Sequence, residues 1–305
     1  MRYEGRRLAL LVLAITFLCG TPAWAQLGPC ATQIGPKLPD LIVDENLLKT
    51  QIFLSEETFG ASTCTVKEGC VTSSGKHVLL RFMSSTPNIG KADLFIGNPS
   101  ECIGTLFHFS ECHQHLHFKE YADYRLWTPE GYRKWVAGRD LTIPTNTGIN
   151  ALLLGMARTN GELVVGRKQG FCMVDIARYF SNAGPPFYLS CTNNQGVSVG
   201  WADVYGPQLA CQFVQIDNLA EGTYVLEDHV NSEHLLPESD YTNNSSAVTF
   251  YFKPKQGKTG PTIEIIESAV ASTVQHPKPT ISRNASIGSN SSQAFPGGRS
   301  TGSDR

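Results

Sequence analysis

The run Cys112-His113-Gln114-His115-Leu116-His117 constrains the chain more than any other segment. Its histidines alternate with other residues, and alternate side chains of a β-strand point to one face. Read as a strand, the run places His113, His115 and His117 on a common face, with neighbours about 6.5 Å apart along the backbone. Three imidazoles so placed can converge on one ion. Imidazole donors suit Cu(II), Zn(II) or Fe(II), and an all-nitrogen site open to every divalent metal favours copper. The whole chain has 8 His, so three in one short run is more than a polar surface strand requires. Cys112 precedes the first of them and falls on the opposite face, which makes it a staple behind the site rather than a ligand. A blue-copper site would instead combine Cys with two His and an axial Met.

The N-terminus predicts export. Arg2, Arg6 and Arg7 precede an apolar run from Leu8 to Leu18, too short to span a bilayer comfortably, and Ala23-Trp24-Ala25 is a small-x-small cleavage pattern. Residues 1–25 therefore read as a signal peptide cut before Gln26, with Arg6-Arg7 hinting at twin-arginine export. The expected location is secreted or extracellular, or periplasmic in a bacterium, with no membrane span in the mature chain. Removing 1–25 takes three Arg and one Glu, leaving 22 basic against 26 acidic residues, a net charge of −4. Such a balance excludes a basic nucleic-acid footprint. Cys19 leaves with the leader, and Cys30, Cys64, Cys70, Cys102, Cys112, Cys172, Cys191 and Cys211 remain. An even count in an exported chain predicts disulfides.

Short apolar or alternating runs at 77–82, 92–96, 163–165, 211–216, 223–226 and 247–252, separated by Gly, Pro, Asn and Asp, predict an all-β chain. Residues 128–160 and 176–210 lack a clear period and read as long loops held by disulfides. A short helix is expected within 45–55, and none that keeps its period over three turns. From Pro254 the composition shifts, and 254–305 reads as a low-complexity, disordered tail. The domain expectation is thus a β-sandwich-like unit at 26–253 between leader and tail.

The segment ECHQHLHFKEYADYRLW (111–127) resembles the copper-binding stretch of the lysyl oxidases. The similarity extends in order through LPDL (38–41), Cys64 to Cys70, VLLRF (78–82), Asn88 and Gly90, GRKQGFCMVD (166–175), DVYG (203–206), CQF (211–213), EGTY (221–224) and LPESDYTNN (236–244). The resemblance implies a secreted copper-dependent amine oxidase, with lysine tyrosylquinone formed from Lys168 and Tyr205. It implies oxidation of primary amines, peptidyl lysine above all, by O2 to aldehydes, with release of hydrogen peroxide and ammonia. Free diamines are a second substrate class. The rival is a secreted copper-binding or adhesion module that keeps the scaffold and builds no quinone. Lys168 and Tyr205 alone would read as a solvated charge and a core aromatic; their matching segments reverse that.

Asp123 stands about where the family has a His, and a carboxylate in a buried site with a raised pKa could take the substrate α-proton. Ser110 also replaces a family His outside the three ligands. Among the cysteines, Cys64–Cys70 and Cys112–Cys191 match family pairs, leaving Cys30 with Cys102. Arg178 and Trp201 stand where the family partners of Cys172 and Cys211 would be, so those two are expected to pair with each other. LPESDYTNN carries no evident chemistry and reads as a structural turn; Asn244, Asn284 and Asn290 fit the glycosylation pattern.

Overall fold

The computed structural model describes residues 30–31, 36–112, 114–167 and 172–266. The leader, His113, Lys168, Asn284 and Asn290 lie outside them. Along the chain come α1 (Glu45–Thr50), β1 (Ile52–Phe59), α2 (Cys64–Lys67), β2 (Gly75–Phe82), β3 (Ser84–Pro87), β4 (Leu94–Gly97), β5 (Phe107–Ser110), β6 (His115–Phe118) and β7 (Ala122–Trp127). The chain continues as α3 (Pro129–Gly138), α4 (Gly148–Thr159), β8 (Leu163–Arg167), β9 (Ala177–Arg178), β10 (Gln195–Val197) and β11 (Trp201–Tyr205). It ends in β12 (Phe213–Gln215), β13 (Gly222–Val230), β14 (Ser245–Lys253) and β15 (Thr262–Ile265). The fold is all-β.

Its frame is an antiparallel sheet in the order β15-β14-β13-β7-β8, faced by the sheet β1-β2-β12. Alternation drives the packing. Leu80 and Phe82 of β2 and Val214 of β12 meet Tyr124, Leu126, Leu226, Val248 and Phe250 in one dry core. Phe82 meets Tyr124 edge to face at 4.6 Å. The far side of the large sheet is closed by α3 and α4, whose Tyr132, Trp135 and Leu154 pack on Trp127, Leu163 and Val225.

These helices correct the long loop expected over 128–160. Thr128 caps α3 by accepting from the Gly131 N–H at 3.1 Å, with Pro129 starting the helix. Gly131, Gly138 and Gly155 blur the helical period, but Gly131 lies against Glu162, where a Cβ would come within 2.8 Å. The stretch 176–210 likewise holds β9, β10 and β11. Beyond Pro254, the strand β15 pairs with β14 and lays Ile263 and Ile265 on the core, so order continues past the expected start of the tail.

Two matched motifs prove structural. Asn88 Oδ1 accepts from Asp40 and Gly90 N–H, and its amide donates to the Ala92 and Val197 carbonyls. Gly90 lies on the LPDL backbone, where a Cβ would come within 2.5 Å of Asp40 N. Glu238 of LPESDYTNN accepts from the Leu41 N–H and from the Asn231 and Asn244 amides. The segment is thus a turn stitched to the start of the domain. Asn244, 1% exposed and bonded to Glu238, is no acceptor for a glycan in the folded protein.

Disulfides join Cys30–Cys102, Cys64–Cys112, Cys70–Cys211 and Cys172–Cys191, with Cα separations of 5.9, 5.5, 5.4 and 5.4 Å. The expected Cys30–Cys102 is present. The expected Cys64–Cys70, Cys112–Cys191 and Cys172–Cys211 are replaced, because the turn of α2 sends its two cysteines to different neighbours. Cys64 at its start meets Cys112 before β6, and Cys70 beyond its end meets Cys211 before β12. Cys191 is then left for Cys172.

His77 on β2 pins the loop after β12. Its Nδ1 donates to Asp217 Oδ2 at 2.6 Å and its Nε2 to the Ser73 carbonyl at 2.8 Å, so both ring nitrogens carry protons. Burial favours the neutral ring, but the Asp217 carboxylate and the Ser73 carbonyl outweigh it and raise the His77 pKa. A raised histidine stabilises the fold below its unfolded value, about 6.5, and that contribution is lost as pH rises through the folded value. Thermal melts across this range are expected to show a falling midpoint that Asp217→Asn flattens. An equally steep fall in the variant would contradict the pairing.

Candidate active site

The histidine run is not one continuous strand. Gln114 takes a left-handed φ of 57° and its N–H donates to the Ser110 carbonyl at 2.8 Å, closing a turn. The strand begins at His115, so alternation joins His115 to His117, while His113 lies outside the described residues. The hairpin register sets Ser110 opposite His115 and His108 opposite His117. His115 Nε2 and His117 Nε2 stand 3.1 Å apart, with ring centroids at 4.8 Å. The His108 ring lies 5.6 Å from that of His117. His117 is buried and His115 exposed, so the pair opens from core to surface.

This donor set fits a divalent metal. Nitrogens bound at about 2.0–2.1 Å to one ion stand about 3 Å from each other. The turn is held from behind by Cys64–Cys112, as expected of Cys112, and beside it Ser110 Oγ donates to Glu68 Oε1 at 2.7 Å. A further close group, Glu68, Cys70 and Cys211, holds two sulfurs already joined as a disulfide.

Tyr205 ends β11, opposite Ser84 of β3, and is 4% exposed. Its hydroxyl donates to the Cys172 carbonyl and accepts from the Cys172 N–H at 3.1 Å. Burial, then the nearby Asp203 carboxylate, push its pKa well above the ordinary phenol value. The Tyr121 ring packs edge-on at 5.0 Å, its own hydroxyl sharing a 2.7 Å hydrogen bond with Thr86 Oγ1. The described chain leaves β8 at Arg167, opposite Asp123, and resumes at Cys172 against the Tyr205 hydroxyl. Lys168 belongs to the short segment between those two fixed points.

Asp123 is bound differently from what a raised general base requires. It accepts from Arg125 and, at 2.7 Å, from Ser232 Oγ. Burial raises its pKa, but the Arg125 charge and the Ser232 hydroxyl hold it below the usual carboxylate value. His229, its cross-strand neighbour, accepts from Arg125 Nη1 through Nδ1 at 3.2 Å, so the ring is neutral. Burial and the Arg125 charge accordingly depress its pKa far below the ordinary histidine value. Arg125, two residues along the same strand face, was the sequence signal for this ion pair. Nothing in the sequence marked Tyr121 or Glu68. A second carboxyl in the field of Asp123, Glu233, is pushed up to about 7 by burial and by Asp123 and Glu120.

A family model for Lysyl oxidase matches residues 39–140 and 155–260, spanning the histidine hairpin, the β8 segment and β11. The chain belongs to the lysyl oxidase family. It is 28% identical over 222 residues to lysyl oxidase homolog 1 of Homo sapiens, covering 70% of this chain and 33% of that protein. Against protein-lysine 6-oxidase of Homo sapiens it is 28% identical over 218 residues, 68% of this chain and 44% of that one. The Sus scrofa protein-lysine 6-oxidase is 27% identical over 218 residues, of which the match covers 74%. This lysyl oxidase family chain thus spans a third to under half the length of the two human relatives.

Proposed function

We propose that this protein is an exported copper amine oxidase of lysyl oxidase type, acting on primary amines and foremost on peptidyl lysine. His113, His115 and His117 are the proposed ligands of Cu(II), and Lys168 and Tyr205 the proposed precursors of lysine tyrosylquinone. When bound, the copper–quinone pair accepts two electrons from the amine and passes them to O2, so that amine, O2 and water become aldehyde, hydrogen peroxide and ammonia.

The observation that carries this reading is the placing of the Tyr205 hydroxyl on the main chain of Cys172, just after Lys168 in sequence. Chain connectivity then keeps the lysine within a few residues' reach of the phenol. The chain's own residues contribute position. Cys172–Cys191 fixes the far end of the lysine segment, Tyr121 limits rotation of the Tyr205 ring, and the dry core excludes water from the hydroxyl. Export is supported by four disulfides, and no helix among the described residues is long and apolar enough to cross a membrane.

Protein from copper-replete culture, supplied with a primary amine and O2, is expected to release peroxide, aldehyde and ammonia in equal amounts. Copper removal should stop all three. Stoichiometric copper without peroxide from any amine would favour the binding module. Asp123 is assigned a positioning role, holding Arg125 and Ser232 at the end of the lysine strand. Asp123→Asn is expected to lower kcat less than tenfold and to leave the pH profile unmoved. Loss of the proton acceptor itself would remove about 10²–10⁴-fold, and a fall of that size would restore Asp123 as the base.

A further inference from the structure

A groove of about 590 Å³ runs along the outer edge of β8. Val164, Val165 and Gly166 form its floor, with Arg158 of α4 on one side and Asn218 and Leu219 on the other. β8 is the last strand of its sheet. The Thr128 N–H donates to the Glu162 carbonyl, and alternation makes Leu126–Val164 and Tyr124–Gly166 the next hydrogen-bonded pairs. The N–H and C=O of Val165 therefore point away from β7 into the groove. Among the described residues no main-chain group bonds them. Val164 beside them is 43% exposed.

Two of the segments that line the groove adjoin the proposed centre in sequence. The strand that carries Val164, Val165 and Gly166 ends at Arg167, which precedes Lys168 in the sequence. Gly69 and Cys70, which line its other end, directly follow Glu68, whose carboxylate accepts from Ser110 opposite His115.

We propose that this groove docks the substrate, and that its occupant is an extended lysine-bearing peptide added to the β8 edge by main-chain hydrogen bonds. The inference rests on the amine oxidase reading and assigns the surface on which its substrate docks. An open strand edge supplies affinity through main-chain bonds and selectivity through alternate side chains. A free diamine has no peptide groups and makes none of those bonds.

The test compares a capped nonapeptide with one central lysine against 1,5-diaminopentane. Val164→Arg sets a cation on the floor, and Asn218→Trp fills the groove from the opposite wall. Each variant is expected to lower the ratio of peptide to diamine kcat/KM roughly tenfold or more. Binding of the fluorescent peptide under nitrogen should weaken by a similar factor, with the melting temperature unchanged. An unchanged ratio and affinity in both variants would overturn the proposal, as would peroxide release by a wild type that does not bind the peptide. Groove-dependent binding by a protein that oxidises neither amine would keep the docking site and remove the oxidase reading.

Discussion

Tyr205→Phe is expected to abolish amine oxidation, lowering peroxide release by on the order of 10³-fold or more while copper content stays at the wild-type level. The substitution keeps the ring, its packing on Tyr121 and the β11–β3 pairing. In the proposed chemistry it removes the oxygen from which oxidation of the ring would start. It also leaves the Cys172 N–H and C=O without their partner, at about 1–3 kcal/mol for buried groups. The variant should therefore fold with a lower melting temperature, bind copper, and show neither quinone absorbance nor turnover. Thr86→Ala is the informative comparison, since it loses only the hydrogen bond that steadies Tyr121. Peroxide release by Tyr205→Phe within tenfold of wild type would exclude Tyr205 as the cofactor precursor.

The largest loss of stability is expected from Glu227→Ala. Glu227 is fully buried on β13 and accepts from Trp127 Nε1 at 3.0 Å, Trp135 Nε1 at 3.1 Å, Arg139 Nη1 at 2.6 Å and Arg125 Nη1 at 3.4 Å. Removing it leaves the Arg139 guanidinium without its carboxylate, takes from Arg125 one of its two carboxylates, and strands two indole donors between the sheet and α3. Breaking a buried pair by removing one partner costs about 3–5 kcal/mol. Against a total of about 5–15 kcal/mol, that is enough to bring unfolding close to working temperature. Chemical denaturation of the copper-loaded protein measures it directly. A change under about 1 kcal/mol would mean that water reaches the arginines. Because Arg125 also holds Asp123 and His229, the loss should extend to the end of the strand that faces the lysine segment.

Much of this was legible along the chain, and the remainder has identifiable causes. The strand β14 alternates on one apolar face and β2 is a short apolar run buried on both faces; both were readable along the chain, as was the short helix after Asp44, whose side chain caps it. The helices α3 and α4 were not, because glycines interrupt their period; Gly131 packs on Glu162 and Gly138 on Leu153 of the neighbouring helix, which helix propensity does not record. His115 and His117 were readable as a same-face pair. The turn at Gln114, which breaks the alternation before them, depends on a left-handed residue that carried no glycine signal.

Disulfide partners were the least legible feature. Eight cysteines allow 105 pairings, and the choice is made by where α2 places Cys64 and Cys70, a three-dimensional fact. Asp123 was visible as a carboxylate near the site, but its ionisation depends on Arg125 and on Ser232, which lies beyond the end of β13. The LPESDYTNN segment shows the converse. A long matched stretch without chemistry was rightly read as a turn, because its polar residues bond one another and the domain's first segment.

The proposed joining of Lys168 and Tyr205 into one cofactor is decided by peptide mapping of the exported, copper-loaded protein. After reduction, denaturation and digestion, a non-reducible species joining the peptides that contain Lys168 and Tyr205 is expected, absent from protein made without copper. Recovery of the two peptides unlinked, from protein carrying stoichiometric copper, would contradict it and leave a copper-binding module on a lysyl oxidase scaffold.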